Sequence, residues 1–501
     1  MEKKKKEKGL GAFFAAVGRG FVNFFKIFIK GDWKTRLSYL IMGAGNILRG
    51  QWHRGIIFLA FEVLFIWYMI NKGSYWIKML KTLGEVGPGM QYDSFYDTYV
   101  YSYGDNSFKI LLYGILTIFL CIAFVITYVV NVNAAYQAQL LKEKGKKLNN
   151  IIDDIRSLVD EKFYMTLLFL PVIGITVFTV MPIVFMIFVA FTNYDGTHDG
   201  YVSALFTWVG LINFKTMFTN TGGDYLKAFT SILGWTVVWA FFATFSNYFL
   251  GILLAMMINR RGIKFKGMWR TLFVMTIAVP QFISLLYVSK MFSDSGIVNG
   301  YIVNAYNWMQ AQAADGDAFS GFWNAIFSFL TNNLHWAGKI PFWTDKNWAR
   351  FMVILINIWV GVPYLMLIAT GILMNIPSDL YESARIDGAS KVQQFIYITM
   401  PYMLFVTGPY LLTSFTGNMN NFNVIYLLSS GGPANTEVSA TSGSVGYTDL
   451  LITWLFKITQ GTEASYYMAS VIGIAVFIIV SVITLIVYGL LPSIRNEGDM
   501  N

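Results

Sequence analysis

The residues that could do chemistry are few and scattered along this sequence. Its three histidines, His53, His198 and His335, have no cysteine or carboxylate partner at the spacing of a zinc site. No stretch matches the G-x-x-x-x-G-K-[ST] pattern that cradles a nucleotide phosphate, and no nucleophile has a base at catalytic spacing. We therefore predict no catalytic residue, no metal site and no cofactor, and we expect that the chain cannot hydrolyse ATP itself.

Residues suited to an uncharged ligand lie inside two long apolar runs. Gly361 and Tyr364 occur in the segment VGVPYL, and the segment TSFTGNMNNF contributes Ser414, Asn418, Asn420 and Asn421. Amides, hydroxyls and aromatic faces can hydrogen-bond and pack against an uncharged polar ligand. The alternative is that these groups only hydrogen-bond between helices, an interaction that contributes about 0.6 kcal/mol on average.

The composition indicates the class of protein that must position these groups. Of the 501 residues, 55% are hydrophobic and only 13% are charged, whereas a soluble domain has about 25% charged residues. We therefore predict an all-α polytopic membrane protein. The net charge of +9 does not indicate a nucleic-acid partner, because the basic residues cluster beside apolar runs. The single cysteine, Cys121, lies within such a run and can form no intrachain disulfide.

Apolar segments of about 20 residues are candidates for membrane-spanning helices. Those that qualify or nearly qualify, about eight in all, are 55–70, 108–130, 165–192, 229–258, 268–292, 351–374, 402–428 and 467–491. Residues 37–48, before the short first segment, fit either a re-entrant or an interfacial piece. Leu10 to Ile29 predicts an amphipathic helix on the cytoplasmic membrane surface, with a poorly ordered basic tail as the alternative.

Basic residues predict the orientation, since they accumulate in cytoplasmic loops. They are concentrated in the N-terminal tail, at 142–147 and at 260–270, so we expect a cell-membrane protein with both termini in the cytoplasm. Four regions follow from this topology. They are a basic tail with its interfacial helix at 1–54, two additional spans at 55–163, the main membrane domain at 164–491 and a cytoplasmic tail at 492–501.

One charged segment, YESARIDGASKVQQFIYITMP at 381–401, interrupts the apolar runs and faces the cytoplasm in this topology. Ser378 is predicted to cap a helix whose first turn holds acidic residues, and Gly388 is predicted to end it. Ser390 and Gln393 have the spacing of a capping box that begins a second helix. The pattern predicts a helix-turn-helix, and by itself it fits a solvated connector as well as a docking element.

The same segment resembles the EAA loop in the membrane subunits of bacterial ABC importers. The matching positions are Glu382, Ala384, Asp387, Gly388, Ala389, Ile398 and Pro401. Ser383 stands where the family usually has its first alanine. The resemblance implies the type I ABC importer permease fold. It also implies that a short helix of this loop docks into a cleft on an ATPase subunit, with the glutamate at the contact.

Residues 164–491 are similar to the larger membrane subunit of maltose and maltodextrin importers. The segments that carry the similarity occur in matching order: FTNYDG, MWRTLFVMTIAVPQFIS, INIWVGVPYLMLIATGILMNIPSDL and NNFNVIYLLSSGGP. The resemblance implies an oligosaccharide substrate, contact with membrane lipid and three kinds of protein partner. These are a second membrane subunit, two copies of a cytoplasmic ATPase and an extracellular sugar-binding protein.

The resemblance also implies a sugar site in the apolar runs already singled out. Its members are Val360, Gly361, Tyr364, Ser414, Gly417, Asn418 and Asn421. Here Val360 replaces a leucine of the family and Gly417 a phenylalanine. The stretch 193–228 is short where the enterobacterial subunit has a large domain, and an aromatic-rich insertion at 301–345 follows the fifth span instead.

A lone carboxylate, Glu62, lies in the first predicted span. An intramembrane acid could mark a proton relay, so the alternative function is an ion-coupled secondary sugar transporter acting alone. Such transporters usually have duplicated halves, which this sequence does not show, and the EAA-like loop would have no role in one.

Overall fold

A computed structural model describes residues 10–198, 204–219, 225–260, 262–314, 320–333, 338–438, 444–460 and 464–490. Within these ranges, seven helical runs are long and apolar enough to cross a membrane, and a bent helix pair makes an eighth if it counts as one span. The predicted all-α membrane class and span count are therefore confirmed. The chain divides into two compact units, Met1–Gly210 and Leu211–Asn501.

The first unit contains three of the apolar runs, Trp52–Met79, Ser107–Glu143 and Phe163–Val189. The helix predicted from Leu10 is confirmed, and its place on the membrane surface stays a prediction. The elements are α1 (Leu10–Lys30), α2 (Trp33–Leu37), α3 (Ala44–Ile47), α4 (Trp52–Tyr68), a π-helical turn (Met69–Gly73), α5 (Ser74–Met79), β1 (Gly89–Asp93), β2 (Thr98–Ser102), α6 (Ser107–Glu143), α7 (Ile151–Val159), α8 (Phe163–Ile175), a second π-helical turn (Thr176–Val180) and α9 (Met181–Val189).

A short antiparallel hairpin, which the sequence analysis did not predict, joins the first two spans. β1 and β2 pair with Gly89 opposite Ser102. Their cross-strand partners Tyr92 and Tyr99 have ring centroids 5.6 Å apart. Aromatic cross-strand pairs of this kind stabilise a two-stranded sheet.

Residues 32–51 hold two short helices instead of a further span. In lipid the backbone groups of such a segment would lack partners, and side chains from α4 and α6 supply them. Asn131 Oδ1 accepts the Gly43 N–H at 2.8 Å, and Glu62 Oε2 accepts the Met42 N–H at 2.9 Å. Glu62 therefore has a structural partner, and no observation in the described residues supports its use in a proton relay.

The beginning of this segment is held by an ion pair and by α6. Arg49 pairs with Asp32 and donates to Thr35 Oγ1 at 2.7 Å. Gln139 Oε1 accepts the Asp32 N–H at 3.0 Å and the Thr35 hydroxyl at 2.9 Å. Burial acts to raise the pKa of Asp32, but the bonds from Thr35 and Arg49 outweigh it and hold the pKa below its usual range.

α7 is joined by charge to the beginning of α4. Asp154 pairs with Arg54, and its Oδ2 lies 2.7 Å from Nε2 of His53. Burial acts to raise the pKa of Asp154, but the hydrogen bonds from Arg54 and His53 lower it to about 2. The carboxylate therefore stays ionised at neutral pH.

The second unit contains the remaining apolar runs. Helical structure in the run Lys391–Ser429 extends back well before 402, where the seventh span was predicted to begin. The aromatic-rich insertion forms two helices within the described residues, Ile297–Ala314 and Ser320–Asn333. The elements are α10 (Ile212–Phe218), α11 (Tyr225–Asn259), α12 (Lys266–Ala278), α13 (Gln281–Met291), α14 (Ile297–Ala314), α15 (Ser320–Asn333), α16 (Lys346–Leu373), α17 (Ser378–Ile386), α18 (Lys391–Gln394), a π-helical turn (Phe395–Thr399), α19 (Met400–Met419), α20 (Phe422–Ser429), α21 (Leu451–Ile458) and α22 (Tyr466–Leu490).

Glycines allow α11 and α16 to pack closely. A Cβ at Gly251 of α11 would lie 2.7 Å from Leu365 Cβ, and a Cβ at Gly361 of α16 would lie 2.2 Å from Asn247 Nδ2. Both distances are shorter than van der Waals contact. Small residues at such positions let helix backbones approach in a membrane, where packing is a main source of association.

The fifth predicted span consists of two helices. α12 and α13 meet at an angle of 88° across residues 279 and 280. Pro280 has no N–H, and its ring restricts Val279 to extended backbone (φ −79°, ψ 130°), which ends α12. The proline in this apolar run therefore bends the span sharply.

A buried ion pair holds the loop that precedes α21. Asp449 is fully buried, and Lys457 Nζ on α21 lies 2.7 Å from its Oδ2. Asp449 also accepts the Gly446 N–H at 2.6 Å and the Thr453 hydroxyl at 2.9 Å. Burial raises the pKa of Asp449, although these bonds and Lys457 oppose the shift.

Candidate functional site

The charged segment folds as the predicted helix-turn-helix, with one correction. α17 begins at Ser378 itself, with Pro377 before it and no side-chain cap. The prediction that Ser378 caps this helix is wrong, because its hydroxyl instead lies 3.2 Å from Asp379 Oδ1. Asp379 lies in the first turn, where the helix dipole favours a carboxylate.

Gly388 ends α17 as predicted. Its φ of +78° is in the left-handed region, which glycine adopts without strain. The Gly388 N–H donates to the Arg385 carbonyl at 3.1 Å, and the Ala389 N–H donates to the Ala384 carbonyl at 2.8 Å. These two bonds form a Schellman motif, which satisfies carbonyls at the end of the helix.

The predicted capping box is confirmed. The Ser390 N–H donates to Gln393 Oε1 at 2.7 Å, and the Gln393 N–H donates to Ser390 Oγ at 3.3 Å. The Tyr381 hydroxyl lies 2.8 Å from Thr399 Oγ1 and joins α17 to the helix that follows. The EAA-like loop therefore has a defined shape.

The outer face of this loop is exposed. Glu382 and Asp387 are exposed, while Ala384 and Ala389 are half-buried. Ile386 is 86% exposed. Other apolar side chains of the same loop are also exposed, and several of them together are typical of an interaction surface. Of the two interpretations that the pattern allowed, this exposure favours a docking element over a solvated connector.

A groove of about 840 Å³ lies between the EAA-like loop and residues at the ends of α11 and α16. Its charged lining residues are Arg260, Glu382, Arg385 and Lys391. Three cations and one carboxylate make the lining positive. Glu382 borders this groove and is also exposed at the surface of α17.

Two residues of the predicted sugar site line a second cavity, of about 340 Å³, at the α12–α13 bend. Val360 and Tyr364 lie one turn apart on α16 and both border it. The Tyr364 ring centroid lies 6.5 Å from that of Tyr410 on α19, and Tyr410 lies about one helical turn before Ser414 on that helix. Tyr410 therefore links the α16 and α19 parts of the predicted site.

Gly361 is not among the residues that line this cavity. It faces Asn247 on α11, where an added Cβ would meet the Asn247 amide. Asn247 is buried, and its Oδ1 has no hydrogen-bond partner in the described part of the chain. Helix packing explains the glycine, and a sugar contact at Gly361 stays a prediction.

The amides of Asn418 and Asn421 are bound within the protein. Asn418 Nδ2 donates to Thr244 Oγ1 at 3.0 Å, and Asn421 Nδ2 donates to Asn418 Oδ1 at 3.3 Å. Asn421 Oδ1 accepts the Val424 N–H and begins α20. These are bonds that the helix-joining interpretation predicts, and sugar contacts at Asn418 and Asn421 stay predictions. Gly417 faces open space, with no atom within 4 Å of an added Cβ.

Sequence reasoning missed the other walls of the cavity at the bend. Thr276, Gln281 and Ser284 line it from α12 and α13, and Trp359 lines it from α16. The available signal was Pro280 in the middle of an apolar run, because proline interrupts helical hydrogen bonding.

A family model matches residues 247–496, which include the EAA-like loop and both parts of the predicted sugar site. Its description is "Binding-protein-dependent transport system inner membrane component". The matched range begins in α11 and ends after α22.

Several transport proteins are similar over most of the chain. The chain is 34% identical over 469 residues to the maltodextrin transport system permease protein MdxF of Bacillus subtilis (strain 168), covering 93% of this chain and 97% of that protein. It is 32% identical over 472 residues to the maltodextrin transport system permease protein MalC of Streptococcus pneumoniae serotype 4, with the same coverage of 93% and 97%.

A third relative is named for a different sugar. The chain is 33% identical over 449 residues to the galactooligosaccharides transport system permease protein GanP of Bacillus subtilis (strain 168), covering 88% of this chain and 94% of that protein. Because these matches extend over nearly the full length of each protein, the chain belongs to the family of binding-protein-dependent transport system inner membrane components and is a membrane permease of that family.

Proposed function

We propose that the chain is a membrane subunit of an ATP-driven ABC importer that moves an oligosaccharide of the maltodextrin type into the cell by alternating access. The relatives described above are named for maltodextrin and galactooligosaccharide transport. Both kinds of substrate are uncharged and rich in hydroxyl groups. The cavity at the α12–α13 bend supports this class, because none of its lining residues carries a charge.

The observation that carries the proposal is the exposed EAA-like loop. α17 has a defined end at Gly388 and leaves Glu382 and Ile386 exposed. A helix that docks into a cleft on an ATPase needs such exposed side chains and a fixed shape. The sequence has no phosphate-binding motif, so the partner would hydrolyse ATP and this chain would transmit the movement.

The proposed importer contains a second membrane subunit, two copies of a cytoplasmic ATPase and an extracellular sugar-binding protein. The family description, which names dependence on a binding protein, supports the last partner. Both termini and the EAA-like loop would lie in the cytoplasm, and the loop that precedes α21 would lie outside. The sugar would pass Val360 and Tyr364 of α16 and Ser414 of α19.

The test measures two quantities in cells whose own copy of the gene carries Glu382→Lys, Glu382→Ala or Gly388→Val. They are uptake of radiolabelled maltotriose and copurification of the ATPase subunit with the tagged chain. We expect Glu382→Lys to lower both more than Glu382→Ala, because it reverses the charge at the contact. Gly388→Val should also lower both, since a β-branched residue is strained at positive φ.

Asp379→Ala is the matched control, because it removes another exposed carboxylate from the same helix. It should retain ATPase binding and uptake, and all variants should reach normal levels in the membrane. Full ATPase binding and uptake by both Glu382→Lys and Gly388→Val would show that the loop is only a connector. Failure of the unaltered protein to support maltotriose uptake would refute the proposed substrate class.

A further inference from the structure

The groove beside the EAA-like loop is lined by basic side chains without partners. Arg260 follows the end of α11, Arg385 lies on α17 and Lys391 begins α18. All three are exposed, and within the part of the chain that the structure describes their side chains form no ion pair and no hydrogen bond. Glu382 is the one carboxylate among the described lining residues. A concave surface lined mainly by one sign of charge concentrates ions of the opposite sign.

Two further cations lie behind the wall that α11 contributes. Asn259 lines the groove, its backbone carbonyl accepts Lys266 Nζ at 2.9 Å, and its side-chain oxygen accepts a hydrogen bond from Arg270. Arg270 Nε is buried and has no partner among the described residues. Lys266 and Arg270 therefore interact with the negative end of the α11 dipole, so capping of this helix does not explain the free Arg260.

The spans contribute apolar side chains to the same groove. Met256 and Leu373 line it from the last turns of α11 and α16, and Phe395 lines it from the π-helical turn after α18. Both α11 and α16 are long and apolar enough to cross a membrane. In the predicted topology these helix ends lie at the cytoplasmic surface. The groove therefore places apolar side chains next to cations at the level of the lipid headgroups.

We propose that this groove binds the phosphate group of an anionic phospholipid from the cytoplasmic leaflet. The three basic side chains pair with the phosphate, and the apolar side chains contact the first carbons of the acyl chains. Basic pockets between membrane helices on the cytoplasmic side are typical sites for anionic headgroups. Free phosphate would use only the cations, whereas the apolar lining suits a lipid. A lipid bound here contacts the EAA-like loop and the ends of α11 and α16 together, and so stabilises the position of the loop relative to the spans.

The first experiment measures lipid binding to the purified full chain by native mass spectrometry. Dioleoylphosphatidylglycerol and dioleoylphosphatidylcholine have the same acyl chains and differ in net charge, and each is titrated separately. We expect phosphatidylglycerol to bind about fivefold more weakly to Arg260→Gln and to Lys391→Gln than to the unaltered chain, which is the factor typical of one basic side chain near an anionic membrane surface. Phosphatidylcholine binding should be the same in all three proteins.

Lys264→Gln is the matched control, because it removes an exposed cation four residues from Arg260 that does not line the groove. It should keep the affinity of the unaltered chain for phosphatidylglycerol. Arg260→Lys keeps the charge and should keep most of that affinity. An equal loss of affinity in Lys264→Gln and Arg260→Gln would show that general surface charge attracts the lipid, and it would overturn the inference.

The second experiment distinguishes a lipid from a soluble anion. The thermal unfolding midpoint of the full chain in detergent is measured with added phosphatidylglycerol, or with sodium phosphate against sodium chloride at equal ionic strength. We expect phosphatidylglycerol to raise the midpoint of the unaltered chain more than that of the double variant Arg260→Gln and Lys391→Gln, and phosphate to act like chloride on both. Stabilisation by phosphate that the double variant loses, with no effect of phosphatidylglycerol, would assign the groove to a soluble anion and refute the inference. Both experiments measure binding without transport, so their outcome is independent of the proposed function.

Discussion

Gly251 gives the most direct test of how the transport helices are packed. A Cβ at this position would lie 2.7 Å from Leu365 Cβ, 3.1 Å from the Leu365 carbonyl carbon and 3.2 Å from the Met366 nitrogen. Two of these three atoms belong to the backbone of α16, so no rotamer change can relieve the contact. Gly251→Ala must therefore move α11 and α16 apart by several tenths of an ångström.

Overpacking of this kind typically costs about 1–3 kcal/mol of unfolding free energy. The matched control is Gly234→Ala on the same helix, where an added Cβ has no atom within 4 Å. The control should be neutral or stabilise the protein by about 0.5–1 kcal/mol, because alanine loses less backbone entropy than glycine in a helix. The Gly251→Ala variant should thus be less stable than the unaltered protein, and the Gly234→Ala variant should not be.

The assay is the thermal unfolding midpoint of the full chain in detergent, with soluble folded protein quantified by size-exclusion chromatography. We expect Gly251→Ala to lower the midpoint by about 1–3 °C and Gly234→Ala to leave it unchanged or raise it. If Gly251→Ala is as stable as Gly234→Ala, the close approach of α11 and α16 at this level is wrong.

Three further predictions concern single contacts. Gly361→Ala should destabilise the protein by about 1–3 kcal/mol and so lower the thermal midpoint. Adding Asn247→Ala should restore the lost stability, because it removes the side chain that the new Cβ meets. A change in sugar KM with no loss of stability would instead favour a direct sugar contact. Lys457→Met leaves the buried Asp449 carboxylate unpaired and should destabilise the chain by about 3–5 kcal/mol, whereas the double variant with Asp449→Asn should recover most of this in the same melting assay. Burial acts to raise the pKa of Asp154, but hydrogen bonds lower it to about 2, so its stabilising contribution is present above about pH 4 and is lost as the pH falls toward 2. Hydrogen exchange of the α7 amides, corrected for intrinsic rates, should therefore increase between pH 4 and pH 2. Asp154→Asn should show the same increase in exchange at pH 7.

Local sequence signals predicted much of the EAA-like loop. Gly388 and the pair Ser390 and Gln393 were identified correctly, because a left-handed turn and a capping box depend on residues only a few positions apart. Ser378 was misassigned as a cap, since the position of a helix terminus commonly differs by one or two residues. The apolar runs themselves predicted the spans, because the thickness of the bilayer determines their length.

Features that depend on distant residues could not be read from local patterns. Nothing near Gly361 in the sequence indicates that Asn247, on another helix, faces it. Predicting the cavity at the bend would have required predicting that Pro280 breaks its span sharply, whereas prolines inside α16 and α19 leave those helices continuous. A proline thus bends one span and leaves two others continuous, and the packing of the surrounding helices determines which occurs.

The anchoring of residues 32–51 has a consequence for the order in which this membrane protein is assembled during synthesis. Asp32 binds Gln139, which lies 107 residues further along the chain, and Gly43 binds Asn131, 88 residues further along. At about 5–20 residues per second, the ribosome adds this length in roughly 5–20 s. Over that interval the segment has left the ribosome before its partners on α6 exist. The first unit can therefore complete its hydrogen bonding only after α6 (Ser107–Glu143) has entered the membrane, so the N-terminal segment is made first but settles later than the spans that follow it in this unit.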